Sequence, residues 1–446
     1  MTRADQERRI STATASVPDT LRVAAMVAAP TIAVGIIKRR PHMMALAQTI
    51  QADRAGIRLL RRLRAKYGDG PLRLRVPGRS VTLPLAAEDV GELLAGAPHP
   101  FSPATREKKA ALGHFQPNGV LISEPPERAE RRRFNETVLE PGQPLHELAA
   151  PWAAIIRDEA ASLRGAELDW TGFDQAWWRV VRRVVLGGDN AADREVTDLL
   201  DRLRLDANWA YARPPRRRLR ERFLNTVRRQ VGWARPDSLA AKLAKVPGDG
   251  ALDPAGQVPH WLFAFDAAGI VTFRALALLA THPVEAERAC SGLGSLDLAV
   301  PHQLPYLRAC VLESVRLWPT TPALLRESRV DTEWGPDGTT EFVYTPFFHR
   351  DSERLPYADR FEPEIWLDGR AQENPALVPF SAGPAICPGR DLVLFTASTM
   401  LANLLRDNRY ELRGTSMTPG RLPATVNNFG LRFESIAEPL SAQRTG

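Results

Sequence analysis

The sequence predicts a mainly α-helical protein with a minor β region. Helical spacing of apolar residues dominates 127–330, punctuated by Pro and Gly, whereas period-two alternation is confined to short stretches early and late in the chain. At 446 residues, with 44% hydrophobic and 25% charged residues, the composition is that of an ordinary globular protein. No internal repeat or long low-complexity tract is present.

The chain is expected to divide into an N-terminal extension, 1–41, partly disordered or packed on the surface, and a single domain, 42–446. Within the extension, Val23 to Ile37 is uncharged and mostly apolar, flanked by Arg22 and by Lys38-Arg39-Arg40. Interrupted by Pro30 and Gly35, it falls short of the roughly 20 apolar residues of a spanning helix. The Arg8-Arg9 pair ahead of an apolar run also fits a signal peptide, although no small-x-small cleavage site follows. The segment is read as lying on the protein's own surface near a substrate entrance, with peripheral membrane contact second.

Residues 42–67 have helical periodicity and stop at Tyr67-Gly68-Asp69-Gly70. Leu72 to Val76 and Val81 to Leu85 alternate around Pro77-Gly78-Arg79-Ser80, a β-hairpin pattern. Later come an apolar helix from His260 to Thr281 and a helix from Pro305 to Leu317 that stops before Pro319. Further strand-like pieces lie at Glu341 to Tyr344 and after Leu422.

Three cysteines, Cys290, Cys310 and Cys387, with no Cys-x-x-Cys spacing, suggest neither a disulfide framework nor a zinc site, and fit a reducing cytoplasm. The net charge of +7 comes with runs such as Arg131-Arg132-Arg133 and Arg216-Arg217-Arg218. Such runs suit nucleic acid, acidic proteins or plain solvation, and no recognisable nucleic-acid module accompanies them.

The stretch from Phe380 to Gly389, Phe-Ser-Ala-Gly-Pro-Ala-Ile-Cys-Pro-Gly, sets one cysteine in a loop able to strap a thiolate under a haem iron. Phe380 suits a porphyrin face, Gly383 and Gly389 permit a tight turn and close backbone approach, and Pro388 fixes the chain after the sulfur. A buried, inert cysteine in a Pro/Gly turn is the alternative. The pattern Phe-x-x-Gly-x-x-x-Cys-x-Gly resembles the haem-ligand signature of the cytochrome P450 family, the haem-thiolate monooxygenases. The resemblance implies that Cys387 is the metal ligand, and that haem b sits between a distal helix and the cysteine loop.

Three more patterns occur in the family's order. Glu313 and Arg316 share a helix face, which alone would suit a surface ion pair. By resemblance they form, with Arg360, a buried structural network behind the ligand loop. Ala268 and Gly269 lie in an otherwise bulky helix, with Thr272 on nearly the same face. Close helix packing with a back-bonded threonine is one reading. The family resemblance instead implies an oxygen-binding groove, with Thr272 as the catalytic hydroxyl. The acid expected before that threonine is Val271, and Asp266, about 240° round the helix from Thr272, is no simple replacement. Arg128, Arg132 and Arg326 match positions that hold haem propionates, for which guanidinium is well shaped. The basic residue often found two before the cysteine is Ala385. An exposed basic face is the alternative for 128–133.

The resemblance further implies dioxygen as co-substrate and external NAD(P)H electrons, most simply through a ferredoxin and its reductase, an acidic partner being favoured over nucleic acid. The expected reaction is hydroxylation of a lipophilic small molecule in specialised metabolism. By family analogy its site takes in Phe265, Asp266, Ala268, Ala323, Leu324 and Asn427, with Trp209, Tyr211 and the 99–115 loop nearby. Because Val271 replaces the acid, a peroxide-driven oxygenase, a desaturase, a coupling enzyme or an isomerase stays open, as does a non-catalytic haem-binding partner protein.

Overall fold

The computed structural model describes residues 12–187, 193–243, 245–246 and 252–437. The Arg8-Arg9 pair lies outside the described residues. Helices dominate, and two sheets are small: a six-stranded one and a three-stranded one of Glu167–Asp169, Arg432–Ala437 and Asn408–Arg413.

The six-stranded sheet runs in the order Ala13–Thr14, Leu72–Val76, Arg79–Leu83, Thr340–Tyr344, Ala323–Ser328, Phe101–Ser102. Its hairpin is tighter than the sequence suggests. Val76 faces Arg79 across the two residues Pro77 and Gly78, so the second strand starts at Arg79 and the loop is not Pro77 to Ser80. Proline supplies the fixed φ of a turn and Gly78 its left-handed φ of 70°. The strands Ala323–Ser328 and Asn408–Arg413 were not read as strands in the sequence; both take their partners from distant segments.

The first strand corrects the domain division. Ala13 pairs with Leu72 and Thr14 with Arg73, and Ala15, Val23 and Val27 are buried in the core shared with Leu60, Leu72 and Leu83. The described part of 1–41 is thus built into the domain, as the helical stretches Val17–Val23, Ala24–Ala28 and Ala29–Ala33 and a loop to Arg40.

The expected helix 42–67 is two helices, Pro41–Ile50 and Ala52–Tyr67, broken by Gln51 at φ 50°. Tertiary contacts override the local pattern there. The Gln51 amide oxygen accepts from the Ala424 N–H at 2.6 Å, and its Nε2 donates to the Gln48 carbonyl at 2.6 Å.

The main core gathers Ala149–Ala161, Trp170–Leu186, Pro305–Leu317 and Arg390–Leu405 around one long helix, Val258–Thr281. This central helix is apolar around most of its circumference because protein covers most of it. Together with the preceding turn it is long and apolar enough to cross a membrane, yet 78% of its most apolar window is buried inside the fold. Ser314 on Pro305–Leu317 donates to the Val271 carbonyl at 2.9 Å and pins the middle of the central helix.

Candidate functional site

The loop from Phe380 to Gly389 folds back on itself. The Cys387 N–H donates to the Phe380 carbonyl at 2.9 Å, and the Ile386 N–H to the Gly383 carbonyl at 3.0 Å. Gly383 has φ 64°, and a Cβ there would lie 2.2 Å from the Leu94 carbonyl oxygen. Its role is close approach to the helix Ala87–Ala95; the cavity wall does not include it. Gly389 stands at the start of Arg390–Leu405, and its N–H favours charge on the Cys387 sulfur. Burial pushes the thiol above its ordinary range, while that N–H, Arg132 and Arg390 pull the other way. This is how a fold prepares a sulfur to carry charge once a metal takes the proton's place.

Cys387 opens on a cavity of about 320 Å³. Phe380, Ala385 and Ile386 line it from the same loop, and Ala264, Ala267, Ala268 and Val271 line it from the central helix. The spacing i, i+3, i+4, i+7 puts those four on one helix face, and three alanines leave room for a flat guest.

The remaining wall is rich in cations. Arg128 and Arg326 are buried, and Arg132 is half-buried. Arg128 donates to the Val120 carbonyl at 2.8 Å, Arg132 to the Ile386 carbonyl at 2.7 Å, and Arg326 to Ser381 Oγ at 3.1 Å. Burial, then repulsion by Arg132 for Arg128 and by Arg128 for Arg326, brings the two down to about 10 each. Two further groups were missed in the sequence. Lys108 lines the cavity and donates to the Pro103 and Leu325 carbonyls, both at 2.9 Å; burial and then Arg326 and Arg128 hold it well below a lysine's usual range. His349 lines the cavity, accepts from the Val378 N–H at 3.1 Å, and leaves Nδ1 buried without a partner. Among the described residues neither Arg128, Arg326 nor Lys108 pairs with a carboxylate, and Arg326 Nε is buried without a partner. A flat cofactor bearing two carboxylates and a metal that takes a thiolate fits this donor set.

Behind the loop, Glu313 and Arg316 are fully buried and joined by two hydrogen bonds, as the family pattern implies. Arg316 also donates to the carbonyls of His349, Ala358, Tyr357 and Arg360 at 2.8, 3.0, 3.3 and 2.7 Å. Arg360 is a correction: only its carbonyl joins the network, while its side chain is 60% exposed and lies 3.6 Å from Glu362. The other partners of Glu313 are the Glu362 N–H at 2.8 Å and the Trp366 indole N–H at 3.2 Å. A tryptophan and main-chain groups do the work expected of that arginine.

Four expected contacts on the distal side fall elsewhere. Phe265 turns away from the cavity to pack against Trp177, whose indole donates to the Phe265 carbonyl at 2.8 Å. Gly269 faces the same indole; a Cβ would sit 2.8 Å from Trp177 Cδ1, so this glycine serves helix packing. Thr272 is buried, bonds back to the Ala268 carbonyl at 2.7 Å and is not on the cavity wall, whereas Val271 is. Asn427 caps a short turn by accepting from the Phe429 N–H at 3.2 Å and does not reach the cavity. Asp266, Ala268, Ala323 and Leu324 do line it, with Asp266 paired to Arg204. Trp209 and Tyr211 are exposed.

The family model described as Cytochrome P450 matches residues 276–427, a span holding Glu313, Arg316, Arg326 and Cys387. This span of the chain is a cytochrome P450 domain. Cyclooctat-9-en-7-ol 5-monooxygenase of Streptomyces melanosporofaciens is 30% identical over 295 residues, 61% of this chain and 63% of that protein. A rice cytochrome P450, 714C3 of Oryza sativa subsp. japonica, is 32% identical over 155 residues, 31% of this chain and 30% of that protein. The match thus spans less than two thirds of these relatives. Two solved structures share the fold at 18% identity: a cytochrome P450 with TM-score 0.69, covering 86% of this chain and 94% of the other, and a retinoic acid-bound cyanobacterial P450 with TM-score 0.70, covering 85% and 94%. The cofactor of the P450 family is haem b, which agrees with the donor set around the cavity.

Proposed function

We propose that this P450 is a monooxygenase that hydroxylates a lipophilic small molecule. The observation that carries the reading is Cys387, the one cysteine on the cavity wall among the described residues, set beside a wall of alanines from the central helix and the cations Arg128, Arg326 and Lys108, which have no carboxylate partner. A thiolate-bound haem supplies reductive activation of dioxygen and transfer of one oxygen atom into a C–H bond.

Around that cofactor the chain's own groups have distinct tasks. Cys387 is the ligand, its charge steadied by the Gly389 N–H and Arg132. Arg128, Arg132, Arg326 and Lys108 hold the propionates, Lys108 standing in for the base that Ala385 lacks. Phe380, on the cavity wall, would help to hold the macrocycle. Ala264, Ala267, Ala268, Ala323 and Leu324 shape an apolar pocket that selects which carbon approaches. Thr272 is the hydroxyl for proton handling, after rotating from the Ala268 carbonyl.

Electrons come from NAD(P)H through a separate ferredoxin and its reductase, which suits the arginine-rich segment 131–133. The three free cysteines fit a cytoplasmic protein. A place in specialised metabolism is supported by likeness to the Streptomyces enzyme.

One observation favours a second reading, peroxide-driven oxygenation: Val271 lines the wall and Thr272 is turned into its own helix, so neither presents a proton donor. Turnover of a panel of lipophilic compounds separates the two. Product carrying one added oxygen only with NAD(P)H, ferredoxin and reductase supports the monooxygenase. Equal product with peroxide alone overturns it.

A further inference from the structure

Part of the cavity wall comes from the loop that follows Ala29–Ala33. Ile36, Ile37 and Arg39 line it, and the loop is firmly tied. Asn208 Oδ1 accepts from the Ile37 and Lys38 N–H groups at 2.9 and 3.2 Å, and Arg204 donates to the Ile37 carbonyl at 3.0 Å. Arg39 is held at both tips. Its Nη1 donates to the Gly35 carbonyl at 2.7 Å and its Nη2 to the Thr320 carbonyl at 2.6 Å.

Among the described residues no carboxylate reaches Arg39 at ion-pair distance, although the neighbouring Lys38 and Arg204 are both paired. Asp266 is shared by Arg204 and Lys38, and Asp201 by the same two cations. Behind Arg39 a small cavity of about 50 Å³ holds Asp53 and Arg274. The local count is Arg39, Lys38, Arg204 and Arg274 against Asp266, Asp201 and Asp53, which leaves one positive charge. A fourth carboxylate, Asp174, is pushed up to about 7 by burial and by Asp266, so it only partly offsets that charge at neutral pH.

The surplus is distinct from the cations assigned to the propionates. Arg128 depresses Arg326, and both depress Lys108, while the carboxylates acting on Arg39 are Asp53 and Asp266. Burial lowers the Arg39 pKa, the condition of a cation that gains most from an anion. Each Nη keeps a second N–H, and a guanidinium already fixed by two carbonyls loses little freedom on taking a carboxylate.

We propose that Arg39 is the anchor for the carboxylate of a lipophilic acid substrate, whose apolar body lies against Phe263, Ala267, Ile270 and Leu324. This rests on the oxygenase reading and names its substrate class. An amine is disfavoured because the acid facing it, Asp266, is already shared by two cations.

The test is equilibrium dialysis of the haem-loaded full chain with dodecanoate and with dodecan-1-ol, in wild type, Arg39→Gln and Arg39→Lys. Wild type should bind the acid tighter by roughly ten- to a hundredfold, the range of a charged hydrogen-bonded pair. Arg39→Gln should abolish that preference with dodecan-1-ol affinity kept within about twofold, and Arg39→Lys should retain part of it. A purely structural arginine would instead weaken both ligands equally in Arg39→Gln. That result, equal binding of both by wild type, or no binding of the acid overturns the anchor. The carbon monoxide spectrum of the same samples reports the oxygenase reading separately: a thiolate band without acid preference sinks the anchor alone, and a missing band in wild type sinks the reading.

Discussion

Arg132 donates to the carbonyl of Ile386, the residue before Cys387, at 2.7 Å, while its Nε pairs with Glu136. The helix Glu127–Leu139 thereby holds the ligand loop and places a cation near the sulfur. Arg132→Ala should loosen the loop by about 1.5–3 kcal/mol, the worth of a charge-assisted hydrogen bond. Haem transfer to an excess of apomyoglobin should be faster by roughly tenfold or more, with the thiolate spectrum kept before transfer. An unchanged rate would remove Arg132 from the site.

Glu313 and Arg360 should behave oppositely, although the sequence groups them. Glu313→Ala leaves Arg316 buried without its carboxylate, a loss of about 3–5 kcal/mol. Arg360→Ala removes an exposed side chain and should stay within about 0.5 kcal/mol of wild type. Urea unfolding measures both, and a large loss on Arg360→Ala would restore it to the network.

Gly269→Ala sets a methyl against the Trp177 indole and should destabilise the fold by about 1–3 kcal/mol through overpacking. Adding Trp177→Leu should recover part of that loss, since the obstructing ring is gone. Failure of the double variant to recover, with a disturbed haem spectrum in Gly269→Ala, would mean that Gly269 faces the cofactor after all.

Thr272 and Val271 bear on proton delivery. If Thr272 rotates into the pocket during turnover, Thr272→Ala should divert electrons to free peroxide, measured as peroxide formed per NAD(P)H consumed. Val271→Asp, which puts an acid on the wall, should raise coupling. No change in either variant would mean that protons arrive without this part of the helix.

Glu341 gives a pH signature in the sheet. It is fully buried, Ser328 donates to one oxygen, and the other has no partner. Burial, opposed by Ser328, raises it to about 7 in the fold. The folded state therefore favours the protonated form, and its stabilising share is present below the unfolded carboxylate range and lost as pH rises through 7. Glu341→Gln should flatten the stability profile between about pH 5 and 8. A profile with the same slope in both proteins would contradict the assignment.

The chemistry was more legible in the sequence than the orientation of its helices. Cys387 was marked by spacing, and the Pro305–Leu317 helix by its bounding prolines. Arg128, Arg132 and Arg326 were found because they match the family's propionate positions, where a cation meets a carboxylate. Phe265 and Gly269 fall away from the cavity for a common reason. Periodicity tells which residues share a face, whereas the partner of that face, here Trp177 some ninety positions earlier, is set by packing. Arg360 failed similarly, because the order of motifs does not reveal whether a side chain or its carbonyl turns inward. Lys108 and His349 lie in unremarkable local sequence and Arg39 in a basic flank; they become conspicuous only once the fold leaves Arg39 and Lys108 without a carboxylate among the described residues and His349 Nδ1 without a partner.

The most direct test of the account is the carbon monoxide spectrum of the reduced, haem-loaded protein, recorded for wild type, Cys387→Ala, Cys310→Ala and Cys290→Ala. Thiolate ligation by Cys387 predicts the red-shifted Soret band in wild type and in the Cys310 and Cys290 variants, and its loss in Cys387→Ala alone. A band that survives Cys387→Ala, or that vanishes with either other cysteine, would contradict the account.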